Sequence, residues 1–382
     1  MENTSKPLWT LRIQPPVPMG SYAEEDVTFL LKELGAKMKE TSTQDREKNI
    51  QSGVHYSEML PIEYKPTNEY LDLFHKMLKS TAKKVALATG IVGELIKAKR
   101  GSNVILASLA RAGTPIGILI RRYLKQIHQI EAKHYSISII RGKGIDENAL
   151  IYILTNHPDS EIQFVDGWTG KGAITKVLQE AVIQFDHKYG IRLNDDLAVL
   201  ADPGHCVSTF GTREDFLIPS ACLNSTVSGL ISRTVHRSDL VGEYDFHGAK
   251  FYKEWFEEDV SRIFVDTISK YFKDIEEEAK AAARLHLVIG ESAPTWKGFQ
   301  DIQRIQHDYS ICDINMIKPG VGETTRVLLR RVPWQILVDR IDNPNLKHIL
   351  LLAEDRGVPV IEYPGLSYSC CGIIKPVLGG ES

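Results

Sequence analysis

The sequence predicts an α/β protein in two domains: a parallel sheet covered by helices, followed by a smaller α/β module. Three observations lead there. Short apolar strand patterns alternate with helical ones from Asn103 to Gly211, the pattern of a parallel sheet buried on both faces. A charged helical stretch around Glu254 to Leu285 then separates this region from a second alternation that runs to the C-terminus. A length of 382 residues also exceeds one ordinary domain and suggests two. We place the first domain at residues 1–284, with an N-terminal helical extension and a linker helix, and the second at 285–382.

Residues 1–18 are polar and contain prolines. "GSYAEEDVTFLLKEL" then predicts a helix, because Val27, Leu30, Leu31 and Leu34 recur at the spacing of one helix face. "QSGVHYSEMLPIEYKP" mixes His55, Tyr56, Ser57 and Glu58 between turn formers and reads as a site-bearing loop. A helix from Asn68 to Lys99 stops where basic residues precede Gly101. The α/β pattern follows: strand "NVILASL", helix "IGILIRRYLKQI", strand "YSISII", helix "ENALIYILTN", strand "IQFVD", helix "AITKVLQEAVIQFDHKYG" and strand "DLAVLAD". "EWFEEDVSRIFVDTISKYFKDIEEEAKAAARL" predicts one long connector helix, and "LHLVIG" from Leu285 the opening strand of the second domain. Beyond it, "KPGVGETTRVLLRRVPWQILV", "LKHILLLAEDRGVPVIEY" and "SCCGIIKPV" again alternate helix and strand.

Composition excludes several classes. Apolar and charged fractions of 43% and 25% are those of an ordinary globular chain, so no long disordered tract is expected. With 46 basic and 49 acidic residues, the total charge implies no strongly basic nucleic-acid surface. No run approaches the roughly 20 apolar residues of a membrane span, and "MENTSKPLWT" lacks the order of a signal peptide, so a cytoplasmic location without membrane attachment is expected. Five cysteines without C-x-x-C spacing argue against a disulfide framework and a structural zinc site.

Ligands of open parallel sheets sit at the carboxyl ends of the strands. Arg111–Thr114, Arg141–Lys143, Asp166–Gly172 and Asp202–His205 all fall there, so four loops are expected at one mouth. The third, in "FVDGWTGKGAIT", is Gly-rich and precedes a helix, a natural seat for an anionic group. Its spacing fits neither G-x-x-x-x-G-K-[S/T] nor G-x-G-x-x-G. Asp166 before it can accept from sugar hydroxyls while the loop amides hold a phosphate, which points to a sugar phosphate.

The order of strand, "ARAGTP" loop, strand ending in basic residues, then apolar run, Asp and Thr-Gly loop resembles the type I phosphoribosyltransferases. The resemblance implies phosphoribosyl pyrophosphate with Mg²⁺ as donor, an unidentified acceptor and, in a family that often pairs, a homodimer. It implies that Asp166 meets the ribose diol and that Thr169, Gly170, Lys171 and Gly172 hold the 5′-phosphate. Arg111, Ala112, Gly113 and Thr114 would hold pyrophosphate, with Arg141 and Lys143 as cations over the leaving group. Gly167 stands where that family has a second acid, beside the bulky Trp168. Acceptor contacts are expected from His55, Tyr56, Glu58, Asp202 and His205. "GSYAEEDVTFLL", "IQSGVHYSEMLPIEY", "SLARAGTPIG", "ADPGHCVSTFGTREDFLIPSACLNSTVSGLISRTV" and "YDFHGAKFY" further resemble the phosphoribosyltransferase-like proteins of tellurium-resistance and stress gene clusters, also called cysteine protease StiP.

Two other function classes stand beside transfer. A noncatalytic nucleotide- or RNA-binding stress regulator would keep the fold without turnover. A cysteine peptidase would need a base at its thiol; Cys206 lies beside His205, and Cys222 has His205 or His236 as candidates. Adjacent residues of an extended strand point to opposite faces, which counts against a His205–Cys206 pair if that segment is extended.

"KPGVGETTRVLLRRVPW" resembles the pelota and L7Ae-like RNA-binding fold, with Gly320, Glu323 and Arg326 matching its motif and Gly322 where Asn is usual. The resemblance implies RNA contact through these residues, and Arg330 follows Arg326 at i, i+4 on one helix face. From Leu285 onward ten Lys/Arg face eleven Asp/Glu, a weak balance for nonspecific affinity.

Overall fold

A computed structural model describes residues 13–290 and 293–374. The segment predicted as an N-terminal helix is instead two short strands, β1 (Thr28–Phe29) and β2 (Lys32–Glu33). The reason is tertiary. Leu30 and Leu31 are both buried, yet in the two cores on opposite faces of the main sheet. An extended chain sends neighbouring side chains to opposite faces, whereas a helix would put them on one side. Edge pairing of Thr28 with Tyr135 and Phe29 with Ser136 thus outweighs the helical spacing.

A ribbon of β3 (Glu40–Thr41) and β4 (Leu60–Pro61) flanks helix α1 (Thr43–Gln51), whose cap Ser42 accepts from the Asp45 amide. Helix α2 (Asn68–Arg100) ends at Gly101, whose φ of 74° suits glycine. The predicted alternation follows: β5 (Val104–Ala110), α3 (Thr114–His128), β6 (Lys133–Ile140), β7 (Gly144–Ile145), α4 (Glu147–Asn156), β8 (Glu161–Trp168), α5 (Ala173–Tyr189), β9 (Leu197–Ala201) and β10 (Thr209–Thr212). The sheet runs β1-β6-β5-β8-β9-β10, parallel throughout, with β7 antiparallel on β6. Along β5, Val104 and Leu106 enter the core under α2 and α3, while Ile105, Ala107 and Leu109 enter the core under α4 and α5.

After β11 (Gly248–Ala249), which pairs with β2, the predicted connector is two helices, α6 (Ser261–Ser269) and α7 (Phe272–Ile289). The expected strand "LHLVIG" is the last turn of α7, with Leu285, Leu287, Val288 and Ile289 exposed. Ala279 and Ala283 anchor the helix by its buried side, and a helix satisfies its own backbone without a neighbouring strand. Close approach of the helices over the sheet depends on small residues: a Cβ at Gly93 would lie 2.6 Å from Tyr123 Cδ1. Tyr123 is held by Glu94 and by the edge of Phe272, so it cannot yield. Gly93→Ala is expected to destabilise by about 1–3 kcal/mol despite its better helix propensity. Chemical denaturation against wild type measures this.

The C-terminal unit comprises α8 (Lys297–Asp308), β12 (Ile317–Pro319), α9 (Val321–Arg330), β13 (Pro333–Val338), α10 (Lys347–Asp355), β14 (Val360–Glu362) and β15 (Cys370–Ile374). Its sheet order is β12-β15-β13-β14. Ile302, Ile305, Ile317, Leu337 and Ile373 close one face, while Val321, Leu328, Ile336 and Leu352 join the large core of the first unit. No helix of the described residues is long and apolar enough to cross a membrane.

Candidate functional site

Parallel strands bring the four expected loops to one edge of the sheet, and the C-terminal unit packs over part of it. The "ARAGTP" loop is tightly built. A Cβ at Gly113 would lie 2.6 Å from the Val165 carbonyl, and the Thr114 hydroxyl is spent inside the sheet, 2.7 Å from Ser136 Oγ. That hydroxyl is thus turned away from the mouth where it was expected to meet an anion. Arg111 donates to Glu63 Oε2 at 2.9 Å and to the Ile231 carbonyl at 3.2 Å, and Ala112 is half-buried beside it. Glu63 is the partner that sequence reasoning missed, hidden in "PIEYKP".

At the second loop, the Arg141 amide donates to the Tyr56 hydroxyl at 2.8 Å, and the Arg141 guanidinium lies over that ring, 5.8 Å from ring centre to carbon. Lys143 is 3.7 Å from Glu58. His55 Nδ1 lies 2.8 Å from Ser57 Oγ, and Gly142, at φ 78°, passes so near the imidazole that a Cβ would lie 3.0 Å from its Nε2. His55, Tyr56 and Glu58 are therefore packed against this loop.

The Gly-rich loop is already occupied by the protein itself. Thr169 donates its hydroxyl to Asp202, and the Gly170 carbonyl accepts from Tyr368 at 3.0 Å. Lys171 Nζ donates to the Ile314 carbonyl at 2.9 Å; burial, with Lys318 and Arg141 nearby, pushes its pKa down to about 8. Gly172 sits at φ 75° under Trp296, where a Cβ would be 2.3 Å from the indole. Asp166, preceding the loop, accepts from the Gly167 amide at 2.8 Å, and burial pushes its carboxyl up to about 7 against the pull of that amide and of Arg326.

Asp202, expected to face an acceptor, is fully buried and faces inward. It accepts from the Cys206 amide at 2.9 Å, the Val207 amide at 3.1 Å, Thr169 and Arg213. The turn it organises carries His205 at φ 53°, and the His205 carbonyl accepts from the Trp296 amide at 3.0 Å. Cys206 Sγ points toward the Gly204 carbonyl, 3.3 Å away. Burial and then the Asp202 charge push this thiol up to about 12. Cys206 also lines a cavity of about 530 Å³ together with Lys99, Arg100, Thr175, Asp196 and Ser208. Among the described residues, no group of three or more His, Cys, Asp or Glu side chains is placed to hold a metal ion.

The residues expected to contact RNA turn toward the first unit. Gly320, at φ 91°, leads into α9, whose Val321 amide donates to both Asp215 carboxylate oxygens at 2.9 and 3.2 Å. Arg326 pairs with Glu323 at 2.8 Å, donates to the Ala221 carbonyl at 2.9 Å and lies over Trp168. The Arg330 side chain lies outside the described residues. Asp215 also accepts from the Ser369 amide at 2.9 Å, and burial holds its carboxyl up at about 7. A carboxyl raised in this way adds stability that is complete below the ordinary carboxylate pKa and is lost as pH rises through about 7. The wild-type thermal midpoint is therefore expected to fall relative to that of Asp215→Asn as pH rises toward about 7, against the opposite trend of the buried His134, His247 and His348, whose pKa values burial lowers to about 4. The same pH profile in the variant would refute the assignment.

Two family matches and one relative place the chain among known proteins. The family described as "Tellurite-like stress resistance cysteine protease StiP" matches residues 20–269, and the "PELOTA RNA binding domain" matches 296–376. A relative from Acinetobacter baylyi named "Cysteine protease StiP" is 33% identical over 350 residues, 89% of each chain. These names overturn the expected function of ribosyl transfer from phosphoribosyl pyrophosphate, because both describe a cysteine protease and neither a transferase. Mg²⁺ belonged to that same donor reading. The second domain carries the pelota RNA-binding assignment expected from Gly320, Glu323 and Arg326. By the match over most of its first unit and its likeness to the Acinetobacter protein along nearly its whole length, the chain belongs to the StiP family.

Proposed function

We propose that the chain is a cysteine peptidase with Cys206 as its nucleophile. The observation that carries this reading is the left-handed turn at His205, since it removes the extended geometry that would hold His205 and Cys206 on opposite faces. Imidazole-bearing and thiol-bearing residues thus share one turn over the Asp202 carboxylate, at the edge of a cavity. The other buried cysteines offer less. Burial and Asp215 raise the Cys370 and Cys371 thiols in the core of the second unit, and Cys222 is packed in the main core.

In the resting protein the Cys206 thiol is neutral, so hydrolysis runs with a base removing its proton during attack. The Sγ–C bond forms as the peptide C–N bond breaks, the proton passes to the leaving amine, and water then cleaves the thioester to a carboxylate and the free thiol. His205 is the base in this reading. The test follows new amino termini released from an unfolded protein substrate by wild type and by Cys206→Ala, Cys222→Ala and His205→Ala. Activity that survives Cys206→Ala would overturn the reading.

A further inference from the structure

Arg141 and Arg233 flank Tyr56, with their guanidinium carbons 5.8 and 5.1 Å from its ring centre. Neither makes an ion pair with a carboxylate of the described residues, although Arg233 is half-buried. The cations around them add to the charge. Burial, followed by repulsion from Arg111, Arg46 and Arg141, holds the Arg233 guanidinium down at about 10. Lys318 and Arg141 act in the same way on Lys171, while burial, then Arg331 and Arg141 against the pull of Glu323, lower Lys318. A row of cations therefore runs from the first unit to Lys318 on β12 of the second. Its acidic neighbours are Glu63, held by Arg111, Glu323, held by Arg326, Glu58, 3.7 Å from Lys143, and Asp313, whose charge offsets part of the repulsion at Lys171 and Lys318.

Half-buried cations without counter-charges are unfavourable in the free protein, and a polyanion laid along them relieves both the desolvation and the mutual repulsion. Arginines stacked on an aromatic ring are also a surface on which nucleobases stack, which an acidic peptide could not use. The motif edge of the pelota unit is closed to such a ligand. Asp215 takes the amide at the start of α9, and Arg326 is turned to Ala221.

We propose that single-stranded RNA lies across the junction of the two units, its phosphates on Arg141, Arg233 and Lys318 and a base against Tyr56. Most of this surface lies outside the stretch that matches the pelota domain, so the first unit is itself an RNA-binding surface. Binding is independent of peptide hydrolysis and is best measured on Cys206→Ala protein.

The experiment is fluorescence anisotropy of a labelled oligouridylate, titrated with protein at several salt concentrations. Arg141→Ala/Arg233→Ala is expected to weaken binding at least about tenfold and to lower the slope of log affinity against log salt by about 1.4, or about 0.7 for each phosphate of a single strand that is no longer neutralised. Arg141→Gln/Arg233→Gln, which keeps the stems packed on Tyr56, should do the same while melting like wild type, and Lys318→Ala should weaken binding by about threefold. Four results would overturn the proposal. They are no binding at low salt, equal binding of oligoglutamate, unchanged binding in both double variants, and loss confined to Glu323→Ala or Arg326→Ala, which would put RNA on the motif helix instead.

Discussion

Cys206→Ala is expected to reduce peptide hydrolysis by about a thousandfold or more, since the thiol forms the covalent intermediate and nothing else in the turn can replace it. The fold should survive, because losing one small buried sulfur costs only about 1 kcal/mol. The wild-type thiol also has a distinctive pH behaviour. Held up at about 12 by burial and Asp202, it is ionised at neutral pH in only about one molecule in 10⁵. Its alkylation by iodoacetamide should therefore be far slower than that of a free cysteine and should climb about tenfold per pH unit well past the point where a free thiol levels off. Mass spectrometry of the Cys206 peptide measures this. Rapid labelling at pH 7 would show a preformed thiolate and exclude the neutral-thiol mechanism.

Asp202→Ala should be among the most damaging substitutions in the protein. This fully buried carboxylate takes the amides of Cys206 and Val207, the Thr169 hydroxyl and the Arg213 guanidinium. Alanine would leave the three neutral donors without their acceptor and take the carboxylate from Arg213, which keeps the carbonyl of residue 202 at 3.5 Å and the face of Phe210. Breaking a buried pair from one side costs about 3–5 kcal/mol, which lowers the thermal midpoint by roughly 5–10 °C in a chain of this size. Asp202→Asn keeps one acceptor oxygen and should lose about half as much. The same substitution removes the negative charge that helps raise the Cys206 thiol, so alkylation at fixed pH should accelerate even as stability falls. A loss below about 1 kcal/mol would mean that the turn is held chiefly by its packing under Trp296.

The N-terminal segment and the connector show where reading the sequence falls short. Helices α2 to α5 and strands β5, β6, β8 and β9 lie close to where local patterns put them, because each carries its own period and its own stops. Leu30 and Leu31 instead take their places from a sheet edge built by residues about a hundred positions away, and helical spacing cannot register that pairing. "LHLVIG" has strand composition, yet α7 continues through it, with the His286 ring beside Phe210 of the edge strand β10 rather than paired with that strand.

The candidate site divides along the same line. Local patterns alone set the alternation of strands and helices, the gathering of four polar loops at one edge and the residue types that chemistry could use there. These follow from short-range periodicity and from the rule that parallel strands share a carboxyl edge, whereas the pelota module was legible only as a resemblance carried by Gly320, Glu323 and Arg326. The direction of each side chain came instead from neighbours that meet it only in the folded chain. Thr114 and Asp202 point inward, the Gly-rich loop is covered by Tyr368, Ile314 and Trp296, and Asp215 takes the start of α9. Arg233, lying in a run of small residues, has Arg46, Arg111 and Arg141 arriving beside it from distant segments. Burial and charge at a point are sums over neighbours in space, and those neighbours are assembled only when the chain folds.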